Sequence, residues 1–94
     1  MTLETARRAA WTTYARELGM NLLRARVTKN LSQEKLAHLA GISAFTYQKY
    51  EKGESRPGTP MNPRLVTIVA LSQALDVPLV DLLPAAAPDM TTGR

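Results

Sequence analysis

The sequence predicts a small all-α domain, and three observations carry that expectation. Apolar residues recur at helical spacing through the first third of the chain. Two short segments in the middle each open on a serine and close on a glycine, the punctuation of capped helices. A third region, Leu65 to Leu83, is apolar enough to be largely enclosed and is interrupted at Val77-Pro78.

Residues 3–29 read as one helical stretch, with a break expected near Gly19. Trp11, Ala15, Leu18, Leu22 and Ala25 alternate spacings of four and three and form a narrow apolar stripe. Trp11 and Tyr14 have two readings. Either they cover the back of the two C-terminal helices within one molecule, or they form a contact with a second copy. Arg7, Arg8 and Arg16 read as a solvated face, with phosphate contact as the alternative.

Residues 31–53, LSQEKLAHLAGISAFTYQKYEKG, carry the densest information. Ser32 is placed to cap a helix, its hydroxyl accepting from a backbone N–H one turn on. Glu34 suits the positive helix end, and Leu36, Ala37 and Ala40 share one face. Ala37 is small enough for another helix to approach closely. Gly41 ends the helix by taking the left-handed conformation that a Cβ disfavours. Ile42 is expected in the core. Ser43 caps the next helix, on which Tyr47 and Tyr50 point inward and Gly53 is the stop. Ala44, Phe45, Gln48, Lys49 and Lys52 are expected to share the outer face.

The stretch 54–62, ESRPGTPMN, reads as a loop. Asn62 is expected to cap the following helix, with Pro63 in its first turn. That helix runs through Leu65, Val66, Ile68, Val69, Leu71 and Leu75, apolar nearly all round, so it is buried or covered by another subunit. Leu79, Val80, Leu82 and Leu83 form a last short helix ended by Pro84. The tail 84–94 is expected to be disordered.

A short capped helix, a glycine turn and a second helix with an inner apolar face is the layout that pushes the second helix into a DNA groove. The outer face then has chemistry for base edges. Gln48 can bond adenine twice, Lys49 can donate to guanine, and Phe45 or Ala44 can touch a thymine methyl. A Phe on the polar side of a short helix points to a partner surface. The alternative for Gln48, Lys49 and Lys52 is an ordinary solvated face, and Phe45 could fold back on its own domain.

Taken together these pieces resemble the lambda-repressor-like, Cro-type helix-turn-helix family, also called the xenobiotic-response-element family. The resemblance spans residues 18–83. It is carried by Arg26, Leu31-Ser32-Gln33, Leu36-Ala37, Gly41-Ile42-Ser43, Tyr50-Glu51 with Gly53, and Pro63 with the apolar runs to Leu75 and Leu83. It implies a five-helix DNA-binding domain, with residues 1–17 left as an N-terminal helical extension. It also implies a transcriptional regulator, a repressor acting as a homodimer on a two-fold double-stranded DNA operator. The implied DNA-binding residues are Ser32, Gln33, Ser43, Ala44, Phe45, Thr46, Gln48, Lys49, Lys52 and Arg56. Gln33 is implied to meet the DNA backbone or to anchor a base-reading side chain. Arg26 and Glu51 match positions that form an internal ion pair in relatives; otherwise Arg26 would face a phosphate and Glu51 an exposed helix end. The chain departs from the pattern at Ala44, where an arginine is common, at Asn30 and Asp76, where glycine is preferred, and in the longer 54–62 loop.

Composition narrows the function classes. The 94 residues suit one domain and include no cysteine and one histidine, His38, which excludes disulfides and thiol chemistry and disfavours a zinc site. No long apolar run suggests a membrane span, and no signal-peptide core opens the chain, so a cytoplasmic, nucleoid-associated address is expected. The net charge is +4, and residues 1–56 alone hold +5. The positive potential therefore belongs to the half carrying the motif, as a polyanion requires. An enzyme is disfavoured, because no glycine-rich loop or nucleophile–base set is legible. The competing reading is an antitoxin-like module whose main ligand is a protein, motivated by the extension and the apolar fourth helix.

Overall fold

Local chemistry sets most of the element ends. Thr2, Ser32 and Ser43 each accept a backbone N–H three residues on, from Thr5, Lys35 and Thr46. The computed structural model describes residues 2–92. Its elements are α1 (Leu3–Thr28), α2 (Gln33–Ala40), α3 (Ala44–Lys52), β1 (Glu54–Arg56), β2 (Thr59–Pro60), α4 (Leu65–Leu75) and α5 (Leu79–Leu82). At the close of α2, Gly41 N–H donates to His38 O and Ile42 N–H to Ala37 O, with Gly41 at φ 75°. This paired closure satisfies carbonyls that a bare helix end would leave open. Asn30 and Asp76 close α1 and α4 in the same way at φ 58° and 54°, as their tolerance of left-handed geometry predicts.

α1 is unbroken for 26 residues, so the expected break near Gly19 does not occur. The glycine serves close packing instead. A Cβ on Gly19 would lie 2.5 Å from Tyr50 O and 2.7 Å from Glu51 O. From the other side, a Cβ on Gly53 would lie 2.7 Å from Arg16 Cα. Two glycines thus let α1 and the end of α3 meet backbone to backbone. The helical extension is continuous with the domain, and Ala15 within it is part of the core.

The core is shared by every helix. Leu18 and Leu22 from α1 meet Leu36 and Ala37 from α2, Tyr47 from α3, Ile68, Leu71 and Leu75 from α4, and Leu82 from α5. Asn21 Nδ2 donates to Leu82 O at 2.9 Å and fastens α5 to α1.

Three expectations are corrected outside the core. First, the 54–62 stretch is not wholly loop: β1 and β2 pair antiparallel, Glu54 opposite Pro60 and Arg56 opposite Thr59. The Glu54 carboxylate accepts the N–H of Gly58, whose φ of 81° makes the tip. Strands of three and two residues are too short to show a period. Second, Asn62 does not cap α4. Arg64 occupies the N-cap in extended geometry without a side-chain bond, and Pro63 keeps Asn62 out of helical conformation. Third, the Trp11 indole N–H donates to Met61 O at 2.9 Å, between β2 and α4 rather than on the back of α4 or α5. Its ring stacks on Tyr14 with centroids 5.4 Å apart. Tail residues up to Met90 touch α1. Arg7 Nε donates to Met90 O at 3.1 Å, and Ala86, Ala87 and Pro88 line a shallow hollow with Ala10 and Tyr14. Prolines leave this segment little backbone entropy to lose on docking. Residues 93–94 of the expected disordered tail lie outside the described residues.

Candidate nucleic-acid interface

α3 has two faces set by its period. Ala44, Tyr47 and Glu51 stand at i, i+3 and i+7 and form the inner stripe. Tyr47 is wholly buried, and Tyr50 and Ala44 pack against the core. Ala44 was expected on the outer face; it is half-buried because it lies one turn before Tyr47 on the same side.

At the inner, C-terminal end of α3 the Glu51 carboxylate collects four donors. Arg26 reaches it twice, through Nε to Oε2 and through Nη2 to Oε1 at 3.2 Å. Gln33 Nε2 donates to Oε1 at 2.9 Å, and the Tyr47 hydroxyl donates to Oε2. Arg26 Nη1 also donates to Leu31 O at 2.9 Å. The pair is well enclosed, with side-chain exposures of 15% for Arg26 and 8% for Glu51. Burial by itself would raise the Glu51 carboxyl, but the bonds from Arg26, Tyr47 and Gln33 outweigh it and hold the group below its ordinary value. The bond to Glu51 raises Arg26 further. Burial, then the bond to Glu51, pushes the Tyr47 phenol far above its ordinary value, so it stays a donor. Helices α1, α2 and α3 are therefore pinned at one carboxylate. Gln33 is used inside this cluster and holds none of the outer side chains of α3.

The outer stripe is Phe45, Gln48, Lys49 and Lys52. Phe45 is 63% exposed, and Gln48 and Lys52 are also exposed. Lys49 is half-buried, with its Nζ 4.4 Å from the centroid of the Phe45 ring. The N-cap hydroxyl of Ser43 donates to Thr46 Oγ1 at 3.0 Å, which orients both at the entry of the helix. Ser32, at the start of α2, is exposed, as is His38. Arg56 is exposed on β1, with its Nε 3.4 Å from Thr59 Oγ1.

Two open hollows flank the outer stripe. One, of about 460 Å³, is bordered by Thr46, Lys49, Ser55, Asn62, Arg64 and Thr67. The other, of about 250 Å³, is bordered by Phe45, Lys49, Lys52, Arg56 and Pro57, and by Glu54, whose carboxylate accepts the Gly58 N–H. Lys49, Lys52, Arg56 and Arg64 thus form a cationic rim around one helix. The sequence did not single out Arg64, since only the return of the chain after the hairpin brings it beside α3. Among the described residues the ion pairs are Arg26–Glu51 and Arg7–Glu4, so the four rim cations have no carboxylate partner within 4 Å. A rim of free cations around amide, ammonium and aromatic tips suits phosphates on the outside and base edges in the middle.

No described helix is long and apolar enough to cross a membrane, and no cluster of three or more His, Cys, Asp or Glu among the described residues could hold a metal.

Residues 22–82 match the family model for the helix-turn-helix. Three solved structures are similar. The restriction-modification controller protein C.AhdI from Aeromonas hydrophila is 33% identical, with a TM-score of 0.65 over 73% of this chain and 96% of that one. The hypothetical transcription factor NHTF from Neisseria is 28% identical, with a TM-score of 0.64 over 76% of this chain and 75% of that one. The P22 c2 repressor protein, in complex with a synthetic operator, is 23% identical; its TM-score of 0.62 over 73% of this chain and 96% of that one speaks to the fold alone. No curated protein matches the chain at a significant level.

Proposed function

The chain belongs to the lambda-repressor-like helix-turn-helix family and is a DNA-binding transcription regulator; on that premise we propose that it is a repressor that reads the major groove with α3. In this reading Gln48, Lys49 and Phe45 meet base edges. Ser32, Ser43, Thr46, Lys52, Arg56 and Arg64 meet sugar and phosphate. Phosphate contacts position the protein and base contacts specify the site. The observation that carries the reading is the two-sidedness of α3. Its inner stripe is locked by Tyr47 and Glu51, while Phe45 and Gln48 stand exposed inside a rim of free cations that includes Lys52.

The protein acts as a homodimer on a two-fold operator, with half-sites about 34–36 Å apart or a multiple of that. Exposed Leu65, Val66 and Val80 on α4 and α5 leave apolar surface for such a contact. That same surface motivates a second reading, a protein partner as the main ligand, which stable copurification of another chain would favour.

Selection of bound sequences from a random double-stranded DNA pool tests the proposal. An enriched motif with two-fold symmetry is expected. Gln48→Ala and Lys49→Ala should each change the preferred bases at about 1–3 kcal/mol per lost contact. Unchanged site preference in both variants would remove α3 from the reading role.

A further inference from the structure

Phe45 is an unusual tip for a groove-reading helix, since a benzyl ring offers no hydrogen bond. It is nonetheless 63% exposed on the outer stripe. Lys49, one turn on, lays its ammonium over the ring at 4.4 Å, within the range where the ring face attracts a cation. Helical side chains lean toward the N-terminus, so a residue at i+4 naturally reaches back over residue i. Pro57 and the hairpin border the hollow beside the ring, and Lys52 and Arg56 complete its edge.

We infer that Phe45 and Lys49 act as one reading unit for a pyrimidine carrying a C5-methyl group next to a guanine. The inference rests on α3 occupying the major groove, as proposed above. In that groove an apolar ring has one complementary feature, the methyl group at C5, while O6 and N7 of guanine accept from a lysine. Neighbouring bases on a strand are about 3.4 Å apart along the axis. The 4.4 Å between ring centroid and ammonium is comparable with that step, so one unit of this size spans adjacent base pairs when the line from ring to ammonium runs along the groove. The ammonium has three N–H groups and no carboxylate partner within 4 Å among the described residues, so docking on the ring leaves donors for guanine. Thymine and 5-methylcytosine carry the methyl at the same ring position. Recognition at this step therefore follows the methyl rather than the base, and cytosine methylation at that position would strengthen binding.

The test uses the full chain and the site enriched from the random pool. Duplexes carrying thymine, uracil, 5-methylcytosine or cytosine at the position facing Phe45 are compared by fluorescence anisotropy. Uracil differs from thymine, and cytosine from 5-methylcytosine, by the methyl alone. Each removal should weaken binding by roughly fourfold, the effect of one buried methyl. Phe45→Ala should equalise both pairs, and Lys49→Met should lose the guanine preference while narrowing the methyl effect. Both residues lie outside the core, so circular dichroism should be unchanged. Equal binding of the thymine and uracil duplexes by the unaltered protein overturns the inference and leaves the groove assignment standing. A methyl effect that survives Phe45→Ala also overturns it. A pool that yields no enriched motif defeats the groove assignment itself.

Discussion

Glu51 is the residue on which the placement of α3 depends. Its carboxylate receives Arg26, Tyr47 and Gln33, so one acidic group holds α3 against both α1 and α2. Removing Arg26 would strand a buried carboxylate. Arg26→Ala is therefore expected to cost roughly 3–5 kcal/mol in urea unfolding, whereas a neutral hydrogen bond alone is worth about 1 kcal/mol. The same cluster gives an acid-side pH dependence. The Glu51 carboxyl is held below its ordinary value of 4.5, so its contribution is complete above that pH. It is lost as pH falls through the depressed value. Urea midpoints should drop on acidification below about pH 4.5, and Glu51→Gln should be less stable at pH 7 with a smaller drop. A Glu51→Gln protein with the full acid dependence would mean that other carboxylates govern it.

Among elements, the docking of α1 on the end of α3 decides where the outer stripe points. Gly19 faces the carbonyls of Tyr50 and Glu51, which are backbone atoms and cannot swing aside. Gly19→Ala is expected to destabilise by about 1–3 kcal/mol or more through overpacking, despite the better helix propensity of alanine. Gly41 offers the control: a Cβ there meets nothing within 4 Å, so Gly41→Ala should cost only about 1–2 kcal/mol for its left-handed backbone. Thermal melts of the two variants separate crowding from conformation. If Gly19→Ala proves as stable as the parent, the close approach of these two helices is wrong. The hairpin and the Trp11–Met61 bond add a second brace, from the extension of α1 to the segment that carries Arg64 toward α3.

On the scale of the whole molecule, charge and geometry converge on one face. Residues 1–56 carry the positive balance, and folding adds Arg64 to the same rim. Affinity for DNA should fall linearly in log–log plots against salt, and Arg56→Ala or Arg64→Ala should each reduce the slope by about 1 while weakening all sequences alike. Lys49→Ala should instead alter which sequences bind. An unchanged slope in the two arginine variants would take them off the phosphate path.

Much of this was legible before folding because it is local. Ser32, Ser43, Gly41 and Gly53 mark helix ends through bonds spanning three or four residues, and Tyr47 follows from helical spacing. The family pattern pointed further, to Arg26 beside Glu51. What stayed hidden was long-range or too short to have a period. Gly19 looks like a helix breaker until Tyr50 is set against it, and the hairpin has too few residues to alternate; Ala44, by contrast, lies three residues before Tyr47 and belongs to the inner side by spacing alone.

The sequence by itself determined the helices, their caps and the positive half of the chain, because hydrogen bonds one turn apart and hydrophobic period act within a few residues. Only the tertiary structure decided how Gln33 is used and that Arg64 stands beside Lys49. Those outcomes depend on segments that are distant in the chain coming together, where close packing at two glycines and one shared carboxylate selects a single arrangement.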